Sequence, residues 1–238
     1  MQYFALLVAP SDAPEERADP AALEAEMTAY NDFHARERSS IKAGDALTPA
    51  PAGVRITGGP DAPVVTDGPF PESAEIAGGF YVFEADDLDA ALALTRQIPH
   101  ARKGAVEVWP MAMEFTPTTN TKLTDEHWLA LLLEPPATVS APGTPEWEAG
   151  AAKHGAFGAA AGPHIIGGAA LHEPSTATTV RLRDDELLLT DGPFAEGAEV
   201  ANGFYVLSAA DRDEAVKLAS MIPATTVELR QLMGIAGL

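Results

Sequence analysis

The sequence predicts an α+β fold built from two related units in one chain, and three observations carry that expectation. Thr66 to Val82, TDGPFPESAEIAGGFYV, returns as TDGPFAEGAEVANGFYV at Thr190 to Val206, with 13 of 17 aligned residues identical. The periodic segments around each copy follow one order, β-α-β-β-α-β with an extra hairpin. Finally, Ile76 to Phe83 and Val200 to Leu207 carry apolar residues on both faces, the pattern of a central strand covered on each side. A β-α-β-β-α-β unit forms an antiparallel sheet with both helices on one face. Its other face needs cover, which a second copy supplies. The expected architecture is therefore two ferredoxin-like units packed sheet on sheet as a pseudo-dimeric α/β barrel.

The elements follow in order. Gln2 to Val8 is the first strand, closed by Ala9-Pro10. After an acidic, proline-containing loop, Asp19-Pro20 opens a helix with Asp at the N-cap and Pro at the first helical position. Leu23, Met27, Tyr30, His34 and Ile41 form its expected inward stripe, and Gly44 its stop. A short extended piece near Ala46-Leu47, a strand around Val54 to Thr57 and the strand entering Asp67 come next. Gly68-Pro69 and Gly192-Pro193 force the chain to turn after each strand, with Phe70 and Phe194 placed to pin the turns. Asp86 to Ile98 is the second helix and Gly104 to Met111 the last strand of the unit. The order restarts at His127, giving units 1–115 and 125–238 joined by the linker 116–124. Gly150, Gly155, Gly158 and Gly162 predict that the first helix of the second unit is broken, shortened or close-packed.

Composition narrows the function. The 238 residues contain no cysteine, which removes disulfides, thiolate metal sites and cysteine nucleophiles. A formal charge of −20 opposes binding to phosphate backbones and anionic lipid, so neither nucleic acid nor membrane is expected as a partner. MQYFALLVAP lacks the charged flank and the length of a signal or spanning segment, and a soluble cytoplasmic protein is expected. His100, His127, His164 and His172 show no metal-ligand spacing, and phosphate-binding loops, dinucleotide fingerprints and nucleophile elbows are missing. The expectation is no metal and no cofactor.

Asp67 and Asp191 lead the candidate catalytic residues, because a carboxylate at a strand end beside a Gly-Pro turn can face a cleft and act as a general base. A turn-stabilising role accounts for the same residues. His34 and His154 come next. They are shifted by one helical turn between the copies, His154 aligning with Tyr30 and His34 with Gly158, and a core histidine held by hydrogen bonds is the competing reading. Tyr30 is a candidate substrate contact. Arg55 and Arg181, in matching hairpin strands, are candidate anion-binding groups. Glu72, Glu75, Glu196 and Glu199 read as turn or inter-domain contacts.

The segments GDALTP at Gly44, VTDGPFPESAEIAGGFYVFEADDLDAA at Val65 and VEVWP at Val106 resemble the YCII-related, or DGPF, family. The second copy matches at IGGAALHEP, TDGPFAEGAEVANGFYVLSAADRDEA and VELR, so nearly the whole chain is covered. The resemblance implies a dimeric α/β barrel with both subunits fused. It also implies a His–Asp acid–base pair, His34 with Asp67 and His154 with Asp191, and an anion-holding Arg after the last strand, kept as Arg230 but replaced by Trp109 in the first copy. The wider fold includes muconolactone isomerase-like enzymes, a chloromuconolactone dehalogenase and cofactor-free oxygenases. Family genes often neighbour extracytoplasmic-function sigma factors. The expected function is binding of a small organic molecule in a barrel cleft, with cofactor-free acid–base catalysis of an isomerase, lyase or dehalogenase type as its enzymatic form. A non-catalytic binding module and a sigma-factor accessory protein are the alternatives. Unequal polar groups in the halves predict that one cleft carries the function, each cleft being lined mostly by its own half. A pseudo-dimer within one chain is expected, and a further homodimer stays open.

Overall fold

A computed structural model describes residues 1–10, 19–69, 75–117, 122–184, 186–193 and 199–236. The expected turn-pinning rings Phe70 and Phe194, Glu72, Glu196, the Glu75 side chain, the loop 11–18 and part of the 116–124 linker lie outside the described residues. The first unit runs β1 (Gln2–Pro10), α1 (Pro20–Glu37), β2 (Ile41–Ala46), β3 (Val54–Thr57), β4 (Val64–Asp67), β5 (Glu75–Glu84), α2 (Leu88–Thr95) and β6 (Ala105–Pro110). The second runs β7 (His127–Glu134), α3 (Pro145–Ala161), β8 (Ile165–Ala170), β9 (Thr178–Arg183), β10 (Glu186–Asp191), β11 (Val200–Ser208), α4 (Arg212–Ala219) and β12 (Thr226–Gln231).

Each helix starts where a side chain can satisfy an orphan amide. Asp19 accepts from Ala21 N at 3.2 Å, Asp87 from Ala90 N at 2.9 Å, Thr144 from Trp147 N at 3.3 Å and Asp211 from Glu214 N at 2.9 Å. The stripe expected on α1 is wrong in part. Phe33 is the residue fully buried against the sheet, whereas Leu23 and Met27 remain 51% and 39% exposed and Ile41 belongs to β2. Nor is α3 broken or close-packed. It is continuous from Pro145 to Ala161, and Gly150, Gly155 and Gly158 face open space.

The strands form two six-stranded antiparallel sheets, ordered β10-β9-β6-β1-β5-β2 and β4-β3-β12-β7-β11-β8. The hairpins are exchanged. β3 and β4 of the first unit extend the sheet of the second, with Arg55 opposite Glu228, while β9 and β10 extend the sheet of the first, with Thr179 opposite Glu107. Val54 and Ile56 are thereby buried in the helix-side core of the second unit, and Val180 in that of the first. Each such aliphatic side chain contributes about 1.5–3 kcal/mol on burial.

The other faces of the sheets share one core. Phe4 stacks on Phe204 with ring centroids 4.4 Å apart, Phe115 stacks on Phe204 at 5.8 Å, and Trp109, Met111 and Phe80 fill the surrounding space. The region between the sheets is thus packed with side chains. Its two seams are hydrogen-bonded: Thr48 N donates to Gln231 O and Met233 N to Ala46 O on one side, and Ala112 N to Ala170 O and His172 N to Pro110 O on the other. Leu123, placed by sequence in the linker, is buried in this core.

Candidate functional site

Hairpin exchange sets the position of Asp67. It ends β4 at the edge of the second sheet, and its carboxylate forms an ion pair with Arg212, the first residue of α4. Gly68 lets the chain pass close to the 3-10 turn at Ala50, because a Cβ there would lie 2.3 Å from Ala50 O. The result is an open cleft of about 590 Å³ whose lining includes Asp67, Asp125, Glu126, Trp128, Arg212 and Gln231. Pro51, Ala52 and Asp67 come from one half of the sequence and the other lining residues from the second half. This corrects the expectation that each cleft is lined mostly by its own half.

Four carboxylates, from Asp67, Asp125, Glu126 and Asp211, surround the cleft against one guanidinium. Asp125 and Glu126 are exposed and have no ion-pair partner among the described residues. Trp128 is 3% exposed and forms part of the wall, and its buried indole N–H has no hydrogen-bond partner among the described residues.

The Asp191 end differs. Asp191 pairs across the hairpin with Thr178, as Asp67 does with Val54, and is likewise exposed. Leu88 occupies the position of Arg212 after the cap Asp87, so the matching cation is missing. Tyr3 stands where the second unit has Trp128, and its hydroxyl meets Met1 Sδ at 3.3 Å.

Neither histidine pairs with its expected aspartate. His34 Nε2 shares a hydrogen bond with Tyr81 Oη at 2.7 Å on the helix side of the first sheet, and His154 Nδ1 with Tyr205 Oη at 3.1 Å on the helix side of the second. The one-turn shift between the copies is thus absorbed by using different ring nitrogens on equivalent tyrosines. Glycine makes room for both: a Cβ on Gly44 would lie 2.4 Å from the Tyr81 ring, and one on Gly168 2.5 Å from the Tyr205 ring. Burial lowers the pKa of both imidazoles, opposed at His34 by the charge of Asp45, and pushes the Tyr205 phenol up to about 12. Tyr81 and Tyr30 are raised further by the same desolvation. Neutral imidazole against protonated phenol is a stable resting pair, and neither histidine lines the Asp67 cleft.

The arginines are structural where their partners are seen. Arg230, 2% exposed, donates through Nε and Nη2 to Thr48 O and through Nη1 to Glu228 Oε1 at 3.3 Å. Arg55 reaches the other oxygen of Glu228 at 3.4 Å. Glu228 therefore neutralises a strip between the exchanged hairpin and β12, and Arg230 faces protein rather than an open anion site. In the first unit the equivalent Trp109 donates to Glu107 at 3.3 Å. Arg55 and Arg181 do sit in the matching hairpin strands β3 and β9, but at different registers: Thr179 holds the position of Arg55, and Arg181, half-buried, lies two residues on.

Sequence reasoning missed Arg212, Trp128 and Asp45. The first two are visible only as departures between copies, Leu88 to Arg212 and Tyr3 to Trp128. Asp45, 4% exposed, accepts from Ala46 N and Gly234 N at 2.8 Å and from Ile235 N and Ala236 N at 3.2 Å, tying the C-terminal segment to β2. Burial raises its pKa while the four amides oppose that shift. The second copy has Ala169 there.

No helix among the described residues is long and apolar enough to cross a membrane. A search of curated proteins finds no match to this chain. Among solved structures, the chain is similar to one described provisionally as a chlorite dismutase, at 8% identity, TM-score 0.41, 99% of this chain and 95% of that one. It is also similar to a heme-binding protein from Thermus thermophilus, at 10% identity, TM-score 0.42, 97% of this chain and 90% of that one. Resemblance of that degree assigns no ligand here. The model of the YCII-related domain matches residues 1–114 and again 140–233, and the chain belongs to that family, with two copies in tandem.

Proposed function

We propose that the chain is a fused pair of ferredoxin-like units, closed as a barrel, that binds a small polar molecule in the cleft at the Asp67 end. The strand order β6-β1-β5-β2, repeated as β12-β7-β11-β8, and the two hydrogen-bonded seams support the fold reading. The observation that carries the functional reading is the cleft itself, a polar concavity built from both halves and lined by Asp67, Arg212 and Trp128 among others. The space between the sheets is filled by buried side chains, Phe4, Phe80 and Phe204 among them.

Asp67 within the cleft also favours a second reading, in which its carboxylate takes a proton from bound substrate and Arg212 holds the resulting anion. The test is a screen of small metabolites by thermal stabilisation, with each hit incubated and examined by mass spectrometry. Stabilisation with the ligand recovered unchanged supports the binding module. A new product lost in Asp67→Asn would support the acid–base reading, and stabilisation that survives both Asp67→Asn and Trp128→Phe would remove the cleft from either.

A further inference from the structure

We propose that the C-terminal residues 232–236 are a detachable strap, latched by the buried carboxylate of Asp45, that clamps the turn supplying Asp125 and Glu126 to the cleft. The latch is one side chain of the first half holding the end of the second. Asp45, 4% exposed, accepts from Gly234 N through Oδ2, and through Oδ1 from Ile235 N, Ala236 N and its own neighbour Ala46 N. Gly234 adopts φ +66°, and that left-handed conformation lines up successive amides as a concave run of donors that fits one carboxylate.

The two copies leave their last strands in different ways. In the first, the chain beyond β6 is anchored by an apolar group: Phe115 is 3% exposed and stacks on Phe204, and its amide donates to Gln2 Oε1 at 2.6 Å. In the second, Leu232 is the last buried apolar residue described, and Met233 and Ile235 remain 45% and 49% exposed. Beyond Leu232 the hold is polar, from Met233 N to Ala46 O and from three amides to Asp45. A segment held by hydrogen bonds rather than burial opens at less cost than the sheets beneath it. Ala169 lies opposite Phe204 as Asp45 lies opposite Phe80, so the second sheet forms without the carboxylate.

The strap reaches the cleft through the turn before β7. A Cβ on Gly234 would lie 2.7 Å from Asp125 N, Leu232 N donates to His127 O, and Gln231 Nε2 donates to Asp125 O at 2.7 Å. Asp125, Glu126 and Gln231 all line the cleft. Closed, the strap fixes this wall; open, it frees it, which gives the cleft two states whatever it binds.

The test follows backbone amides of the full chain by NMR in the parent, Asp45→Ala and Asp45→Asn. Alanine removes the latch. Asparagine keeps its shape but turns a donor toward the amides, and it carries the same test if the alanine variant does not fold. Exchange with deuterated water at Gly234, Ile235 and Ala236 should speed up at least about tenfold in Asp45→Ala and less in Asp45→Asn, with β7 amides near their parent rates. The Asp125 and Glu126 resonances should shift in the same order. Unchanged exchange at 234–236 would remove Asp45 as the latch, and equal acceleration along β7 would make the segment part of the cooperative core rather than a strap. Unmoved Asp125 and Glu126 resonances would detach the strap from the cleft. No ligand enters the measurement, so a failure here is distinct from a failure of the binding reading, which the metabolite screen decides.

Discussion

The two hairpin ends start from nearly the same sequence and finish in different chemistry. At one, TDGP places Asp67 against Arg212 beside a cleft walled by Trp128; at the other, TDGP ends its strand at Asp191, and the unit that receives it has Leu88 and Tyr3 at the positions of Arg212 and Trp128. What differs is the surface that receives each strand end. Because the hairpins are exchanged, Asp67 is read by the residues of the second unit and Asp191 by those of the first. A repeated motif therefore supplies the same carboxylate twice, and divergence in the opposite unit decides what each one meets.

The largest effect that can break this comparison is separation of the halves. Residues 1–115 alone keep a hairpin whose buried Val54 and Ile56 belong in the other unit's core, and residues 125–238 lose the strand that covers β12. Each fragment should be insoluble or aggregated alone and should recover a folded species on mixing, as seen by size exclusion; two stable monomeric fragments would contradict the exchange. Within the intact chain, Ile56→Ala empties a well-packed position and should cost about 2–5 kcal/mol in chemical denaturation. Arg55→Ala, on the opposite face of the same short strand, tests whether the charged strip matters less than this apolar contact.

The histidines sharpen the comparison further. Desolvation lowers both, but only His34 has a carboxylate, Asp45, working against the shift. His154 should therefore titrate below His34 in an NMR pH series. His100 and His127 are depressed as well, by burial first. A histidine depressed in the folded state binds fewer protons there than in the unfolded chain. Its contribution is full above the ordinary value near 6.5 and is lost as pH falls through the folded value, so the melting temperature should drop from pH 7.5 to 5.5. A flat profile would mean that the imidazoles are not desolvated. The smallest expected effect is at α3, where Gly155→Ala meets open space and should stabilise by about 0.5–1 kcal/mol, measured by denaturant midpoint.

Much of the fold was legible. The repeat, the Asp19-Pro20 helix start and the double-sided apolar pattern of β5 and β11 each express a local rule of capping or periodicity. Hairpin exchange was not, because Val54 and Ile56 show the same alternation whichever sheet they join. The α1 stripe failed for a related reason: periodicity gives a face, while Phe33 rather than Leu23 is the residue that reaches the sheet. At the site, Asp67 could be read from its strand end, but its partner could not, since Arg212 lies 145 positions away and signals itself only as the residue that Leu88 is not.

The central claim is that one hairpin end, and not both, holds the ligand. It is tested most directly by measuring the dissociation constant of a ligand identified in the screen for the parent chain, Asp67→Asn and Asp191→Asn, with denaturation confirming that both variants fold. The account predicts at least about a tenfold loss of affinity in Asp67→Asn and an unchanged constant in Asp191→Asn. Equal effects from the two substitutions, or a loss confined to Asp191→Asn, would contradict it.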